Sequence, residues 1–292
     1  MSRFSSTAQG IVLMVASIFL FSLMDVMIKS AAATVNPVVG IWARYSIQTV
    51  LVTLIILPKM PGVLKTRYPF LQALRSGFVV GATGLYFVSF AKLPLAQVAA
   101  LMQIAPVIIT LGAAVFLREH IGPRRAIGVA IALVGALIII RPTPDGFTPW
   151  TLLPLGGALC YSAYVLATRF VGRDESVWTS LFYTALFATV VFSAAVPFWW
   201  QRLTAAEAGY LIAAGIFGTI AQLLLIRAFA LAEASILAPM GYSGLIFAAV
   251  WSMVIFGEAP DMATYIGALV IVGAGLYVWQ RERQATRAVT RQ

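Results

Sequence analysis

The chain has 292 residues, of which 61% are hydrophobic and 10% are charged, and its net charge is +10. Soluble domains carry about 25% charged residues, so this composition excludes a soluble protein. The charge does not indicate nucleic-acid binding, because the basic residues stand in ones and twos at the ends of apolar segments, as membrane proteins place them. One cysteine and one histidine exclude a Cys/His metal cluster, and we expect neither a metal nor a cofactor.

Ten apolar segments follow one another along the chain, each close to the roughly 20 residues that a transmembrane helix needs. Prolines mark many of the boundaries, as at Asn36-Pro37 and Gly122-Pro123, because proline starts or interrupts helices. Ten spans leave room only for tails and loops, so the function must lie within the bundle. The predicted segments are 8–28, 37–57, 70–91, 95–117, 124–140, 150–170, 176–199, 208–230, 234–256 and 262–280.

The loop lysines and arginines predict the orientation of these segments. Most of them fall on the side of the N-terminus, which the positive-inside rule assigns to the cytoplasm. The opposite side holds Lys29, Lys92, Arg141 and Arg202. An even number of spans places both termini in the cytoplasm of a bacterial-type inner membrane, where the basic C-terminal tail would lie against anionic lipid.

The second half of the chain repeats the first. Residues 90–128 align with residues 229–267 without a gap, and this alignment pairs Glu119 with Glu258. Five spans is an odd number, so the second copy must be inserted upside down, and inverted repeats form a substrate site at their interface. This organisation favours a transporter over a receptor or a scaffold. We predict a first five-helix repeat at 1–145, a second at 146–280 and a basic tail at 281–292.

Several stretches carry a family resemblance: Ile28-Lys29 after the first span, Arg44 in the second, residues 91–119, and the second-half copy. With the five-plus-five duplication, the chain resembles the EamA type of the drug/metabolite transporter superfamily over essentially its whole length. The resemblance implies an all-α membrane protein of ten transmembrane helices in two inverted five-helix repeats. It also implies secondary transport, since members of the family include exporters of amino acids and other metabolites. The second half departs from the pattern, because no arginine in the seventh span matches Arg44.

Asp25 is the only carboxylate well inside a predicted span, where a charge costs about 2.5–3.5 kcal/mol on insertion scales. Lys29 follows four residues later, the spacing of an ion pair on one helix face. Arg44 enters the second span from the same side of the membrane. Either Asp25 binds a substrate amine or a coupling proton, or these charges form a structural ion pair between the first two helices.

Glu119 and Glu258 lie just before the fifth and tenth predicted helices. An acidic residue there stabilises the N-terminus of a helix. Alternatively, the two glutamates make gate contacts at opposite faces of the membrane, as their corresponding positions suggest.

Prolines inside two spans predict kinks that free backbone carbonyl groups. Pro106 lies in the fourth span and Pro239 in the ninth, and freed groups at membrane depth must line protein or a wet cavity. We therefore expect these two helices to flank the substrate. The other candidates for the cavity lining are Tyr86, Ser89, Gln103, Tyr161, Tyr164, Gln222, Tyr242, Ser243 and Trp251, although such side chains also join membrane helices.

One enzyme-like motif remains, since Gly241-Tyr242-Ser243-Gly244 reads G-x-S-G, as in intramembrane serine proteases. A serine nucleophile needs a base within hydrogen-bonding reach, and His120 falls in a predicted cytoplasmic loop. We therefore predict that the chain is not an enzyme.

The expected function is export of small metabolites by alternating access, with neutral aromatic or aliphatic amino acids as the substrates. One alternative is another uncharged or cationic metabolite or drug. The alternative of a different class is an intramembrane serine hydrolase that uses Ser243. The expected partners are a small-molecule substrate and the lipid bilayer, without nucleic acid, and the expected oligomeric state is a monomer.

Overall fold

Helices joined by short loops make up the fold. The computed structural model describes residues 6–105, 108, 109, 112, 123–140, 148–171, 176–231 and 238–289, and these residues contain no strand. They form ten helices of at least eight residues, which we name α1 to α10. The helices are α1 (Ser6–Ala32), α2 (Pro37–Ile56), α3 (Pro69–Lys92), α4 (Leu95–Met102), α5 (Pro123–Ile140), α6 (Leu152–Val171), α7 (Val177–Trp199), α8 (Ala205–Leu231), α9 (Ser243–Phe256) and α10 (Met262–Val289).

Most of these helices begin and end close to the predicted boundaries, for local reasons. The Asn36 side chain accepts a hydrogen bond from the N–H of Val38 at 2.9 Å, and a proline follows it as the first residue of α2. Such a cap satisfies an N–H group that has no partner within the helix. At the C-terminus, α10 runs past its predicted end at residue 280 as far as Val289, so much of the predicted tail continues the last helix.

Two helices are interrupted next to the predicted kinks. α4 ends at Met102, and the N–H of Gln103 bonds to the carbonyl three residues back, that of Ala100, at 3.2 Å. α9 begins only after a 3₁₀ turn, Ala238–Tyr242. The two interruptions lie at corresponding places in the repeat, and both leave carbonyl groups without α-helical partners at membrane depth. Pro106 itself lies outside the described residues.

Six helices within the described residues are long and apolar enough to cross a membrane. They are Ala8–Ala32, Pro37–Ile56, Pro69–Lys92, Pro149–Thr168, Trp178–Trp199 and Ala205–Leu225. Three shorter apolar helices are Ala130–Ile140, Met240–Phe256 and Met262–Tyr277. Most of the second part of the predicted fourth span, from residue 106 on, lies outside the described residues. The chain is a multi-pass membrane protein.

The packing of the helices follows an inverted repeat. α1 packs mainly against α8, and α6, its counterpart in the second half, packs mainly against α3. α8 also contacts α2, as α3 contacts α7. The pairs α2–α7, α4–α9 and α5–α10 each join a helix to its own counterpart. A single two-fold axis accounts for all of these pairs, and the predicted fold of two inverted five-helix repeats is confirmed.

The close pair α5–α10 depends on two glycines. A Cβ atom at Gly135 would lie 2.9 Å from the Gly267 carbonyl oxygen, and one at Gly267 would lie 2.6 Å from the Gly135 carbonyl oxygen. Real Cβ atoms do not approach backbone that closely, so neither position accepts a larger residue without a shift. Small residues that let backbones approach are the usual basis of helix association in membranes.

Candidate functional site

Asp25 lies inside the bundle in the last third of α1. Its side chain is half-buried and interacts electrostatically with Arg44 of α2 and with Tyr86 of α3. Among the described residues, none forms an ion pair or a hydrogen bond with the Asp25 carboxylate. The predicted pair with Lys29 is therefore wrong, because Lys29 bonds elsewhere.

Arg44 faces this carboxylate from α2 without bonding to it. Its Nη1 donates to the Thr83 hydroxyl at 3.3 Å, and its guanidinium lies 4.9 Å from the centre of the Tyr45 ring. Its Nε is buried and has no hydrogen-bond acceptor. On the α8 side, a Cβ atom at Gly218 would lie 3.8 Å from this Nε, an ordinary contact distance, and 2.8 Å from the Met24 sulfur.

Of the three predicted cavity tyrosines, Tyr86 lies beside Asp25, and Tyr164 lies beside Arg75 of α3. The Tyr86 hydroxyl is buried without a hydrogen-bond partner, and it interacts with both Asp25 and Tyr161. The Tyr161 and Tyr164 rings lie 6.0 Å apart, and the Tyr86 ring stacks on Phe90 at 6.1 Å. The charges therefore lie in an aromatic environment formed by α3 and α6.

A cavity of about 400 Å³ opens at the end of the bundle where α1 ends. Lys29 and Glu258 line it and bond to each other, with Nζ–Oε distances of 2.6 and 2.9 Å. Lys29 also donates to the Leu93 carbonyl oxygen at 3.0 Å, and its ammonium lies 4.9 Å from the centre of the Phe256 ring. Phe90, which stacks on Tyr86, also lines this cavity, whereas Asp25 and Arg44 do not.

The end of α9 places Glu258 for this contact. Gly257 has φ +65°, a left-handed conformation that favours glycine, and the Glu258 N–H bonds to the Ser252 carbonyl at 2.9 Å. The cap of α10 is Asp261, whose Oδ1 accepts the Thr264 N–H at 2.8 Å. The capping interpretation of Glu258 is therefore wrong, and its carboxylate instead joins the second repeat to α1.

A second buried cation, Arg75 of α3, escaped the sequence analysis as a site residue. It is 1% exposed, and its Nη2 donates to the Ser180 carbonyl at 2.6 Å and to the Thr184 hydroxyl at 3.0 Å. Its guanidinium lies 5.4 Å from the centre of the Tyr164 ring. The signal was available, because an arginine well inside a predicted span needs a buried partner.

The two buried arginines occupy related places in the fold. Arg44 lies where α2 meets α1 and α8, and Arg75 lies where α3 meets α6 and α7. The axis that exchanges the repeats converts the first group of helices into the second. The cation that the seventh span lacks is thus supplied by α3.

Two of the predicted cavity serines bond to the backbone of their own segment. Ser89 is buried and donates to the Leu85 carbonyl oxygen at 2.7 Å. Ser243 donates to the Met240 carbonyl oxygen at 2.7 Å. Local bonds of this kind are common for serine in helices. His120, the base that the hydrolase alternative would need, lies outside the described residues.

Three other candidates join helices. Trp251 Nε1 donates to the Ser22 hydroxyl at 3.0 Å, which links α9 to α1. Gln48 Nε2 donates to Gln222 Oε1 at 3.2 Å, which links α2 to α8. The hydroxyl end of Tyr242 lies against the backbone of α10. The first two contacts join the two repeats, whereas Tyr242 and α10 both belong to the second repeat.

The remaining candidates lie at the helix interruptions or outside the described residues. Gln103 is half-buried where α4 ends, and Pro239 belongs to the 3₁₀ turn before α9. Pro106 and Glu119 lie outside the described residues.

Residues 8–141 and 148–279 each match the EamA-like transporter family. The chain belongs to this family. The predicted family is confirmed, and the two matches fall one on each half of the chain. The protein is therefore a transporter of small metabolites.

Similar proteins are named for different substrates. A pseudopaline exporter CntI of Pseudomonas aeruginosa is 32% identical and covers 91% of this chain and 94% of its own. A riboflavin transporter of Brucella anthropi is 27% identical over 86% of this chain and 90% of its own. An S-adenosylmethionine uptake transporter of Rickettsia bellii is 28% identical over 76% of both chains. The substrate thus varies among relatives.

The fold also matches a solved structure, described as "Crystal structure of protein", with a TM-score of 0.66. The two chains are 18% identical, and the match covers 94% of this chain and 98% of the other. At this identity the likeness concerns the fold alone.

Proposed function

We propose that this EamA-like protein is a secondary transporter that exports neutral amino acids, aromatic or aliphatic, by alternating access. The observation that supports this best is the pair Asp25 and Arg44, two opposite charges inside the bundle that do not bond to each other. Charged groups at membrane depth usually face a partner or a substrate path.

The surroundings of the charges favour a substrate with an apolar or aromatic body. Tyr86 provides a ring surface beside Asp25, and Phe90 stacks on that ring. A phosphorylated solute would require several convergent cations, whereas here the acidic Asp25 opposes Arg44. A neutral amino acid has no net charge to disturb this balance.

Alternating access would use the two repeats as the moving parts. The Lys29–Glu258 ion pair joins α1 to the segment between α9 and α10, and we propose that it closes one end of the path. The lysine and arginine distribution assigns this end to the extracytoplasmic side and both termini to the cytoplasm. The protein would then act in an inner membrane.

A second candidate function is transport of another uncharged or cationic metabolite. Relatives named for riboflavin and for S-adenosylmethionine support this alternative. An unpaired carboxylate such as Asp25 would also suit an amine-bearing cation.

The test is transport by purified protein in proteoliposomes, with labelled leucine, phenylalanine and riboflavin, each with and without a pH gradient. We expect saturable transport of the two amino acids and none in protein-free liposomes. If Asp25→Asn removes a dependence of transport on the pH gradient, proton coupling is assigned to Asp25. The control Glu207→Gln should keep that dependence. Transport of riboflavin without transport of either amino acid would refute the amino-acid proposal in favour of the second candidate.

A further inference from the structure

We infer that Asp25 and Arg44 together bind the head group of a zwitterionic substrate, with the carboxylate of Asp25 on its ammonium group and the guanidinium of Arg44 on its carboxylate. This inference rests on the proposed function, because it names the substrate class of the same site. We call this arrangement the Asp25–Arg44 site.

Asp25 is more exposed than its neighbours on α1. Its helix neighbours are sealed, with Met24 at 7%, Val26 at 1% and Ile28 at 4% exposure, whereas Asp25 between them is only half-buried. Part of the Asp25 side chain therefore keeps accessible surface inside the bundle. A carboxylate in that setting, without a bonded cation among the described residues, is available to an ammonium group.

Arg44 has a hydrogen-bond donor that the described residues leave without an acceptor. The Thr83 hydroxyl accepts a hydrogen bond from Arg44 Nη1 at 3.3 Å, which is long for a charged donor. Nε on the other edge is buried and has no acceptor. A carboxylate binds a guanidinium through two parallel N–H groups, and the Nε edge of Arg44 is the free edge. A buried donor without an acceptor costs about 1–3 kcal/mol, so a ligand carboxylate there would relieve that cost.

The two charged groups interact with each other without a direct bond. Asp25 and Arg44 interact across α1 and α2 but lie too far apart for a direct ion pair. An α-amino acid carries its ammonium group and its carboxylate on the same carbon atom and would be oriented by both protein groups at once. Tyr86, whose buried hydroxyl has no partner and which lies beside Asp25, adds a further polar contact. The substrate side chain would then pack on the rings.

The experiment removes one charge from the ligand and one from the protein. The ligands are leucine, 3-methylbutylamine, which lacks the carboxylate, and 4-methylpentanoate, which lacks the amine. Their affinities for purified wild type, Asp25→Asn and Arg44→Gln are measured by isothermal titration calorimetry. A hydrogen bond to a charged group corresponds to about a 10- to 100-fold change in affinity.

The expected pattern is crossed. Asp25→Asn weakens leucine and 3-methylbutylamine about 10- to 100-fold and leaves 4-methylpentanoate unchanged. Arg44→Gln weakens leucine and 4-methylpentanoate and leaves 3-methylbutylamine unchanged. The unchanged ligand shows that each variant is folded. Lys65→Gln removes a charge from an exposed place and Glu207→Gln removes one from the partly exposed start of α8, and neither should alter the affinities.

Two results would overturn the inference, and they differ in what else they affect. In the first result, the wild type binds leucine, but each variant weakens all three ligands equally or weakens none of them. This result overturns the Asp25–Arg44 site and leaves amino-acid transport standing. Wild type that binds none of the three ligands overturns the site and the proposed amino-acid substrate together.

Discussion

Removal of the Lys29–Glu258 ion pair should open the end of the bundle that it closes. Lys29 is 8% exposed and the Glu258 side chain 36% exposed. Loss of one partner costs about 3–5 kcal/mol in a fully buried pair and about 0–1 kcal/mol at the surface. For this half-exposed pair we expect about 1–2 kcal/mol, which shifts the population toward the open form by about 5- to 30-fold.

The two single substitutions should differ in size. Glu258→Gln leaves the buried Lys29 ammonium with the Leu93 carbonyl as a neutral acceptor beside the Phe256 ring. Lys29→Gln leaves a carboxylate that water already reaches. Because an unpaired buried charge is the more costly of the two, Glu258→Gln should open the bundle further than Lys29→Gln.

Cysteine labelling measures this opening along the contact between α1 and α9. In a Cys160→Ala background, Ser22→Cys places a thiol at a residue of similar size that is 5% exposed and bonded to Trp251 of α9. The rate of reaction with a polar maleimide in nanodiscs should rise about 5- to 30-fold when Glu258→Gln is added. Ala33→Cys, at an exposed place on the same face, should keep its rate.

Two outcomes would refute this reasoning. An unchanged labelling rate at Ser22→Cys would mean that the ion pair does not hold α1 to α9. An equal rise at Ala33→Cys would mean that the whole face has loosened. Lys92→Gln, which removes a neighbouring cation that lies over the Trp150 ring, is the matched control and should leave both rates unchanged.

Three further substitutions test other contacts. Gly267→Ala should lower the melting temperature in detergent by an overpacking cost of about 1–3 kcal/mol, whereas Gly273→Ala on the same helix meets nothing within 4 Å and should not; equal effects would refute the close approach. Arg75→Lys should destabilise the protein by about 1–3 kcal/mol, because an ammonium cannot reproduce the planar fork that bonds to Ser180; an unchanged melting temperature would contradict this. Ser243→Ala should leave transport in proteoliposomes intact, since its hydroxyl is already bonded to the backbone; loss of transport would revive a chemical role.

The elements that the sequence predicted well are those with local causes. Proline at residue 37 after Asn36 determines where α2 begins, because the cap and the first residue are adjacent in the chain. The repeat was visible because Glu119 and Glu258 recur at the same interval as their neighbours. The interruption of α9 was predictable from Pro239, although the 3₁₀ turn extends it as far as Tyr242.

The contacts of the site depend on the three-dimensional pairing of the repeats. Helical spacing favoured Asp25 as the partner of Lys29, but the actual partner, Glu258, lies 229 residues further along the chain. The i, i+4 rule ranks only neighbours on one helix, so it gives no information about a segment from the other repeat. The place of Arg75 opposite Arg44 could not be predicted for the same reason, since it follows from the two-fold axis and not from sequence alignment.

The shape of α9 has a mechanical consequence. Its 14 residues extend about 21 Å, with the 3₁₀ turn at one end and Glu258 just beyond the other. A tilt of about 10° about the 3₁₀ turn would displace the far end by about 4 Å. That displacement would break the 2.6 Å contact between Lys29 and Glu258. A small rotation at the 3₁₀ turn, near the bilayer centre, would therefore separate Glu258 from Lys29 at the membrane surface.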